Sequence, residues 1–141
     1  MQAYKKAFTL TELMATLAIV AILAAVGIPS YLSYTKKARF SEVISATTAV
    51  KVSIEHCYNT IGSFVGCNND KFGIPPAVVN GENAVQSLVV ENGKITVTPN
   101  PNHGLKITDL YILTPSIGND HMIQWKASGE GAEQYAITDK N

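Results

Sequence analysis

A long apolar run near the start of the chain most constrains how this protein of 141 residues can fold. The run extends from Phe8 to Ile28, and Glu12 is the one charged residue among its twenty-one positions. At about 1.5 Å per residue, a helix of this length spans roughly 30 Å, the thickness of the hydrocarbon core of a bilayer. We therefore predict a membrane-length helix from Phe8 to Pro29. A cleaved secretory signal is not favoured, because the run is too long and continues directly into a further helical pattern.

The carboxylate of Glu12 needs an explanation within such a helix. A charged side chain in hydrocarbon costs on the order of 2.5–3.5 kcal/mol even on lenient insertion scales, so an acid at this depth is by default a functional residue. The alternative is an acid close enough to the helix end to reach interfacial water, since Glu12 lies only four residues after Phe8.

Charge and cysteine content limit the other function classes. Eleven basic and eleven acidic residues cancel, so no net field draws the whole chain toward nucleic acid. Cys57 and Cys67 are the only cysteines, which excludes a cysteine-rich zinc site, and their spacing is not that of a CxxC redox motif. In an oxidising compartment they would form a disulfide, whereas reduced buried thiols are the alternative in a cytosol. Basic residues flank the apolar run on both sides, so the cysteines give the better indication that the C-terminal part is external.

No catalytic constellation is present in the sequence. His56, His103 and His121 are scattered, and no GxSxG, HExxH or phosphate-binding loop occurs. We therefore predict that the chain is not an enzyme and needs no cofactor. Two turn segments, Asn68–Asp70 and Gly118–Asp120, have oxygen ligands that could hold calcium weakly.

The pattern beyond Pro29 becomes amphipathic. Apolar or small residues recur at spacings of three and four, which predicts a helix that buries one face. The residues on that face are Phe40, Val43, Thr47, Val50, Ile54 and Cys57.

A β-rich region follows from residue 84 onward. The predicted strands are Ala84–Val90, Lys94–Thr98, Lys106–Leu113 and Met122–Ala127, and the run Ala132–Thr138 is predicted as a short edge strand or an ordered tail. Glu91-Asn92-Gly93, between the first two strands, is a strong hairpin signal. The economical fold is α+β, in which a long N-terminal helix packs its amphipathic half on a four-stranded antiparallel sheet. Trp125 is expected in the core.

The N-terminal residues resemble a known family. The segment KKAFTLTELMATLAIVAILAAVGIPSYLSYTKKARFSE resembles the leader, cleavage site and N-terminal helix of type IVa pilins. In that family the leader is cut before a phenylalanine, which is then methylated on its new amino group. A glutamate at the fifth mature position pairs with the methylated amine of a neighbouring subunit. The resemblance implies cleavage between Ala7 and Phe8, N-methylation of Phe8, and a role in assembly for Glu12 together with Phe8.

Two positions depart from the family pattern. Ala7 stands before the cleavage site, where the family usually has glycine. Ala21 stands where the family often has a glycine that lets the helix loosen on assembly. Because glycine is less favourable than alanine in a helix by about 1 kcal/mol, we expect the helix to kink at Gly27 and Pro29 instead.

Two further segments extend the resemblance. FSEVISATTAVKVSIEHCYNTIGSFVGCNNDKFGIPP resembles a subgroup of pilins with a cysteine pair in this region, which implies a Cys57–Cys67 disulfide. ILTPSIGNDHMIQWKASGEGAEQY resembles the last strands of the family, but no cysteine follows Trp125. The usual C-terminal disulfide loop is therefore missing from the sequence, and adhesive functions cannot be transferred from relatives that have it.

The predicted organisation has five parts. These are a leader peptide over residues 1–7, a transmembrane and filament-core helix over 8–29, the amphipathic half of the helix over 30–58, a disulfide-containing loop over 59–83, and an antiparallel sheet with a C-terminal tail over 84–141.

The resemblance implies a structural subunit of a type IV pilus, which polymerises with itself through the N-terminal helix. Before assembly it would span the inner membrane once, with its C-terminal domain in the periplasm, and afterwards it would belong to an extracellular filament. The implied partners are the prepilin peptidase, the pilus assembly machinery, and host surfaces or DNA contacted during adhesion, twitching motility or DNA uptake.

Three alternatives are kept. The first is the major pseudopilin of a type II secretion system, disfavoured by the cysteine pair and by the lack of a recognisable calcium site in the sequence. The second is a DNA-binding or adhesive minor pilin, disfavoured by the acidic excess over residues 71–141. The third is an uncleaved single-pass membrane protein, which Ala7 would allow.

Overall fold

One long helix, α1, extends from Leu10 to Ile61 in the computed structural model, which describes residues 6–135. The helix is assigned without interruption, although Pro29 lies inside it. The chain divides into two units, Met1–Thr35 and Lys36–Asn141. The first five residues of the predicted leader and the end of the predicted C-terminal tail, residues 136–141, lie outside the described residues.

The part of α1 that belongs to the second unit buries one face. Its buried residues are Phe40, Val43, Thr47, Val50, Ile54 and Cys57, which confirms the predicted amphipathic face. Because these positions are three and four residues apart, they form one stripe along the helix. The stripe packs into the same core as the inner face of the sheet, whose buried residues are Leu88, Val90, Ile95, Val97, Tyr111 and Leu113.

The sheet has four antiparallel strands in the order β1-β2-β3-β4. Their bounds are Val85–Glu91 for β1, Lys94–Pro99 for β2, Tyr111–Ile117 for β3 and Ile123–Ser128 for β4. The β1–β2 turn consists of Asn92 and Gly93, both with positive φ, as a tight two-residue hairpin turn requires. The α+β class, the four-stranded antiparallel sheet and the first hairpin are confirmed.

The third strand differs from its predicted bounds. It was expected at Lys106–Leu113, but residues 106–110 form a turn before β3 begins. The carboxylate of Asp109 accepts the Lys106 N–H at 2.9 Å, and the Asp109 N–H donates to the Lys106 carbonyl at 3.0 Å. These local bonds compete with strand pairing. At its other end β3 continues through Pro115, beyond the last residue that pairs with β2, so the missing proline N–H breaks no β2–β3 bond.

The C-terminal segment is also corrected. The run Ala132–Thr138 was predicted as an edge strand or tail, but its described part, residues 132–135, belongs to a short helix, α2, over Glu130–Tyr135. Tyr135 packs on Phe40 with ring centroids 5.3 Å apart, and Phe40 meets Tyr111 edge-on at 5.7 Å. Gly131 approaches Phe40 so closely that a Cβ at this position would clash with the ring. Aromatic packing against α1 therefore favours a helix where the sequence pattern predicted a strand or a tail.

The disulfide between Cys57 and Cys67 is present, and both residues are fully buried. Two side-chain hydrogen bonds link the loop around Cys67 to the β1–β2 hairpin. The Asn68 side chain accepts the Asn92 N–H at 2.7 Å, and the Asn92 side chain accepts the Gly66 N–H at 3.1 Å. The loop is thus held by one covalent link and by several hydrogen bonds.

Trp125 packs against the core but is only partly buried. Its indole N–H donates to the Glu55 carboxylate at 2.9 Å, and the Lys51 ammonium lies 5.7 Å from the ring centroid. Trp125 therefore does not lie fully in the core as expected. Its ring packs on apolar residues, and its polar N–H edge links β4 to α1.

We predict that replacing both cysteines by serine destabilises the full chain in detergent by about 2–3 kcal/mol, the chain-entropy value for a loop of about this size. The measurement is urea denaturation of oxidised wild type and of Cys57→Ser/Cys67→Ser. Reduced wild type is the control and should match the double variant. Because Asn68 and Asn92 still fix the loop, native near-ultraviolet circular dichroism should persist, and its loss without denaturant would contradict this account.

We predict a loss of stability in alkali that depends on Tyr135. Its pKa is raised above the usual 10.0, first by burial and then by the negative charge of Asp109. A raised folded pKa gives a stabilisation that is fully present below about pH 10 and is lost as the pH rises through the folded value. Burial also raises the pKa of Tyr111, so Tyr135→Phe should remove part of this loss. Melting temperatures between pH 8 and pH 11 that fall equally in both proteins would contradict the assignment.

Candidate assembly site

The predicted cleavage position lies just before α1. Ala7 and Phe8 have no regular secondary structure, and the Phe8 side chain is 71% exposed. Thr9 follows, and α1 begins at Leu10. A new amino group on Phe8 would therefore stand two residues before the first residue of the helix.

Thr9 and Glu12 form a reciprocal pair at the start of the helix. The Thr9 hydroxyl accepts the Glu12 N–H at 3.2 Å, and Glu12 Oε2 accepts the Thr9 N–H at 2.9 Å. Glu12 Oε2 also accepts the Thr9 hydroxyl at 2.8 Å. This is the capping-box arrangement, in which two backbone N–H groups that a helix start leaves unpaired are satisfied by side chains. Glu12 is thus held in a defined position by its own subunit.

The two oxygens of the Glu12 carboxylate are used differently. Oε2 accepts both bonds from Thr9, whereas Oε1 accepts no hydrogen bond from any residue in the described range 6–135. A carboxylate has about four acceptor positions, so Oε1 remains able to bind an external cation or donor. The helix N-terminus also favours a negative charge at this end.

The apolar part of α1 exposes its side chains all round. An eighteen-residue window of the helix has a mean hydropathy of 2.3, and none of that window is buried. Among its large apolar residues, the exposed fraction ranges from 49% at Leu13 to 76% at Leu10, and Val26 is 70% exposed. By length and composition this segment can cross a membrane. An apolar surface of this extent needs lipid or other protein around it.

Gly27 and Pro29, the predicted kink positions, both lie inside α1. Pro29 has no N–H to donate to the preceding turn, and the space next to the Gly27 Cα is open. A local weak point is therefore built into the helix, while the kink itself remains a prediction.

The other candidate residues do not converge on a site. His56 is exposed on α1, and Asp120 uses its carboxylate to accept the Met122 N–H at 3.2 Å. Asn69 uses its side chain to accept the Val90 N–H at 2.7 Å. Within residues 6–135, no group of three or more His, Cys, Asp and Glu side chains could hold a metal ion.

Thr9 is the site residue that the sequence-based prediction missed. A signal was available, because Thr-x-x-Glu directly before an apolar run is the sequence pattern of a capping box. The resemblance assigns Glu12 a contact with a neighbouring subunit and implies nothing about its contact with Thr9 in the same chain.

Two family models match the chain. The model described as the prokaryotic N-terminal methylation motif matches residues 2–28, and the model described as pilin, a bacterial filament protein, matches residues 36–139. Together they cover the apolar helix with its preceding residues and nearly all of the second unit.

Curated relatives agree with the two models. The type IV pilus subunit protein TapA of Aeromonas hydrophila is 47% identical over 70 residues, which are 50% of this chain and 49% of the relative. The type IV major pilin protein PilE1 of Neisseria gonorrhoeae is 40% identical over 102 residues, 71% of this chain and 56% of the relative. The prepilin peptidase-dependent protein D of Escherichia coli K12 is 29% identical over 116 residues, 82% of this chain and 75% of the relative.

The chain spans about half the length of the first two of these relatives. The pilin model nevertheless covers most of the chain, and the fold has the long helix and four-stranded sheet that the resemblance implies. The chain therefore belongs to the pilin family of bacterial filament subunits.

Proposed function

We propose that this chain is a structural subunit of a type IV pilus. It spans the inner membrane through residues 8–29 with its C-terminal unit in the periplasm, and it then joins an extracellular filament. A prepilin peptidase cuts between Ala7 and Phe8, the Phe8 amine is methylated, and the assembly machinery adds the subunit to a polymer of identical copies. A pseudopilin is not favoured, because the relatives reported above include pilus subunits and major pilins.

The observation that carries this proposal is the divided use of the Glu12 carboxylate. Oε2 is bound by Thr9 within the subunit, and Oε1 has no partner among residues 6–135. Cleavage before Phe8 would create an ammonium group, which is the partner that Oε1 lacks. We propose that Oε1 binds the Phe8 ammonium of the neighbouring subunit.

The physical gain comes from pairing two charges that are each costly alone. An unpaired carboxylate in hydrocarbon costs a few kcal/mol, and a buried ammonium is similarly unfavourable. Placing them together in a filament core offsets both penalties, provided that their remaining hydrogen-bonding positions are satisfied. For the carboxylate, Thr9 meets this condition, because it donates two hydrogen bonds to Glu12 Oε2. The pair would also fix the axial position of each subunit relative to its neighbour.

The capping box also has a role before assembly. While the helix is in the membrane, two bonds from Thr9 to Oε2 reduce the cost of holding Glu12 near the edge of the hydrocarbon. The same residue therefore serves first as a helix cap and then as an intersubunit contact, and only the partner of Oε1 changes.

We predict that the native chain is cleaved, methylated and disulfide-bonded. The intact mass of the native protein should correspond to loss of residues 1–7, gain of one methyl group on the Phe8 amine, and alkylation of Cys57 and Cys67 only after reduction. Ala7→Gly is the matched variant, and it should be processed at least as completely as wild type. An unprocessed Met1 in purified filaments would contradict the proposal.

Variants of Glu12 and Thr9 separate the two roles of the capping box. Glu12→Gln keeps an oxygen for the Thr9 N–H but removes the charge, so it should insert into the membrane normally and yield no filaments. Thr9→Ala loses the hydroxyl, a change that costs about 1 kcal/mol at an N-cap. Filament yield should fall by roughly fivefold, the factor that corresponds to that energy.

Thr9→Ser keeps the hydroxyl and is the control for the Glu12 and Thr9 variants. The readout is the ratio of chain in sheared filaments to chain in the membrane, measured by quantitative mass spectrometry. A wild-type ratio for Glu12→Gln would show that the carboxylate charge is not needed for assembly.

A further inference from the structure

A cavity of about 290 Å³ opens between α1 and the loop that precedes β1, entirely within the second unit. Glu42 and Ala46 of α1 form one wall. The opposite wall consists of Val78 and of the segment from Gly81 to Val85. This volume is just below the range of about 300–1,000 Å³ for small-molecule sites, so the cavity suits one long side chain better than a cofactor.

The loop wall of this cavity is fixed by hydrogen bonds. Val78 pairs with Leu88 of β1 through two backbone bonds of 3.0 Å, and the Gly81 N–H donates to the Gln86 carbonyl at 2.9 Å. The buried Asn100 donates its side-chain N–H to the Gly81 carbonyl at 3.0 Å. The cavity is therefore preformed, and its shape does not depend on a ligand.

The chemistry of the lining favours a cation with an apolar stem. Glu42 and Glu82 bring two carboxylates, and no lysine, arginine or histidine lines the cavity. Ala46, Val78 and Val85 offer apolar surface beside them. Lysine and arginine combine these properties, because their methylene groups can lie along apolar surface while the charged end meets a carboxylate.

The carboxylates remain available to such a group. Glu42 Oε1 lies 3.3 Å from Arg39 Nη1. Both side chains are about half exposed, and an exposed ion pair of this kind contributes little to stability. Glu82 is exposed and has no ion pair with any residue of the described range.

We propose that this cavity receives a lysine side chain from a second copy of the chain, an inference that rests on the proposed filament. Contacts in a helical polymer are heterologous, so a cavity on one subunit meets a different surface of the next. Charge complementarity supplies the occupant. Within residues 36–135, five exposed lysines lie outside any ion pair, namely Lys37, Lys71, Lys94, Lys106 and Lys126. The cavity would thus be an intersubunit contact separate from the Glu12 pair.

The experiment is carbodiimide cross-linking, which joins a carboxylate to a lysine only when they are in contact. Filaments of the full processed chain are cross-linked, covalent dimers are isolated, and the joined peptides are identified by mass spectrometry. Dimers should contain Glu82 or Glu42 linked to one particular lysine, and the same link should be missing from subunits dispersed in detergent. Glu91→Gln, which removes an exposed acid of β1 away from the cavity, should leave this link unchanged.

A cavity-filling variant tests whether the lysine enters the cavity or only contacts the carboxylates at its surface. Ala46→Leu adds bulk at an exposed helix position and should lower the yield of the cavity link at least fivefold at equal filament mass, whereas Ala46→Ser should not. Replacing the identified lysine by alanine should abolish the link, and melting of each variant in detergent verifies folding. Undiminished links in Ala46→Leu, or dimers joined only through other acids, would overturn the cavity proposal while leaving the filament intact. Failure of wild type to form filaments would overturn both proposals.

Discussion

The hydrogen bonds between Thr9 and Glu12 are the interaction on which this account depends. They begin the helix at Leu10, satisfy backbone groups at its first turn, and direct a carboxylate at the start of an exposed apolar surface. Without them, Glu12 would be a mobile acid at the edge of a membrane segment. With them, one oxygen is committed to the chain's own Thr9, and the other is free for the intersubunit contact that we propose.

Periodicity predicted most of the second unit. The spacing of three and four from Phe40 to Cys57 defined the buried face of α1, and Asn92-Gly93 defined the first hairpin. Prediction failed where local hydrogen bonding or tertiary packing overrode the apolar pattern. The hydrogen bond from the Lys106 N–H to the Asp109 carboxylate keeps residues 106–110 out of the sheet. Packing of Tyr135 on Phe40 favours a helix over Glu130–Tyr135. Neither effect leaves a periodic signal in the sequence.

The candidate site was predictable in a different way. The cost of a charge in hydrocarbon singled out Glu12 from the residues alone, but its partner came from the resemblance to pilins and remains a proposal. Thr9 could have been found from the Thr-x-x-Glu pattern. The cavity beside Ala46 could not have been found from the sequence. One wall belongs to α1 and the other to a loop more than thirty residues later in the chain. The hydrogen bond that fixes this loop comes from Asn100, which is more distant still in the sequence.

The central claim is that the free oxygen of Glu12 binds the amine of a neighbour. A helical reconstruction of purified filaments by electron cryomicroscopy, at a resolution that shows side chains, tests this directly. The account predicts the Phe8 nitrogen of one subunit within about 4 Å of Glu12 Oε1 in the next, the usual limit for an ion pair, with Oε2 still bound to Thr9. A filament in which Glu12 contacts only its own subunit, with the Phe8 amine placed elsewhere, would contradict the account.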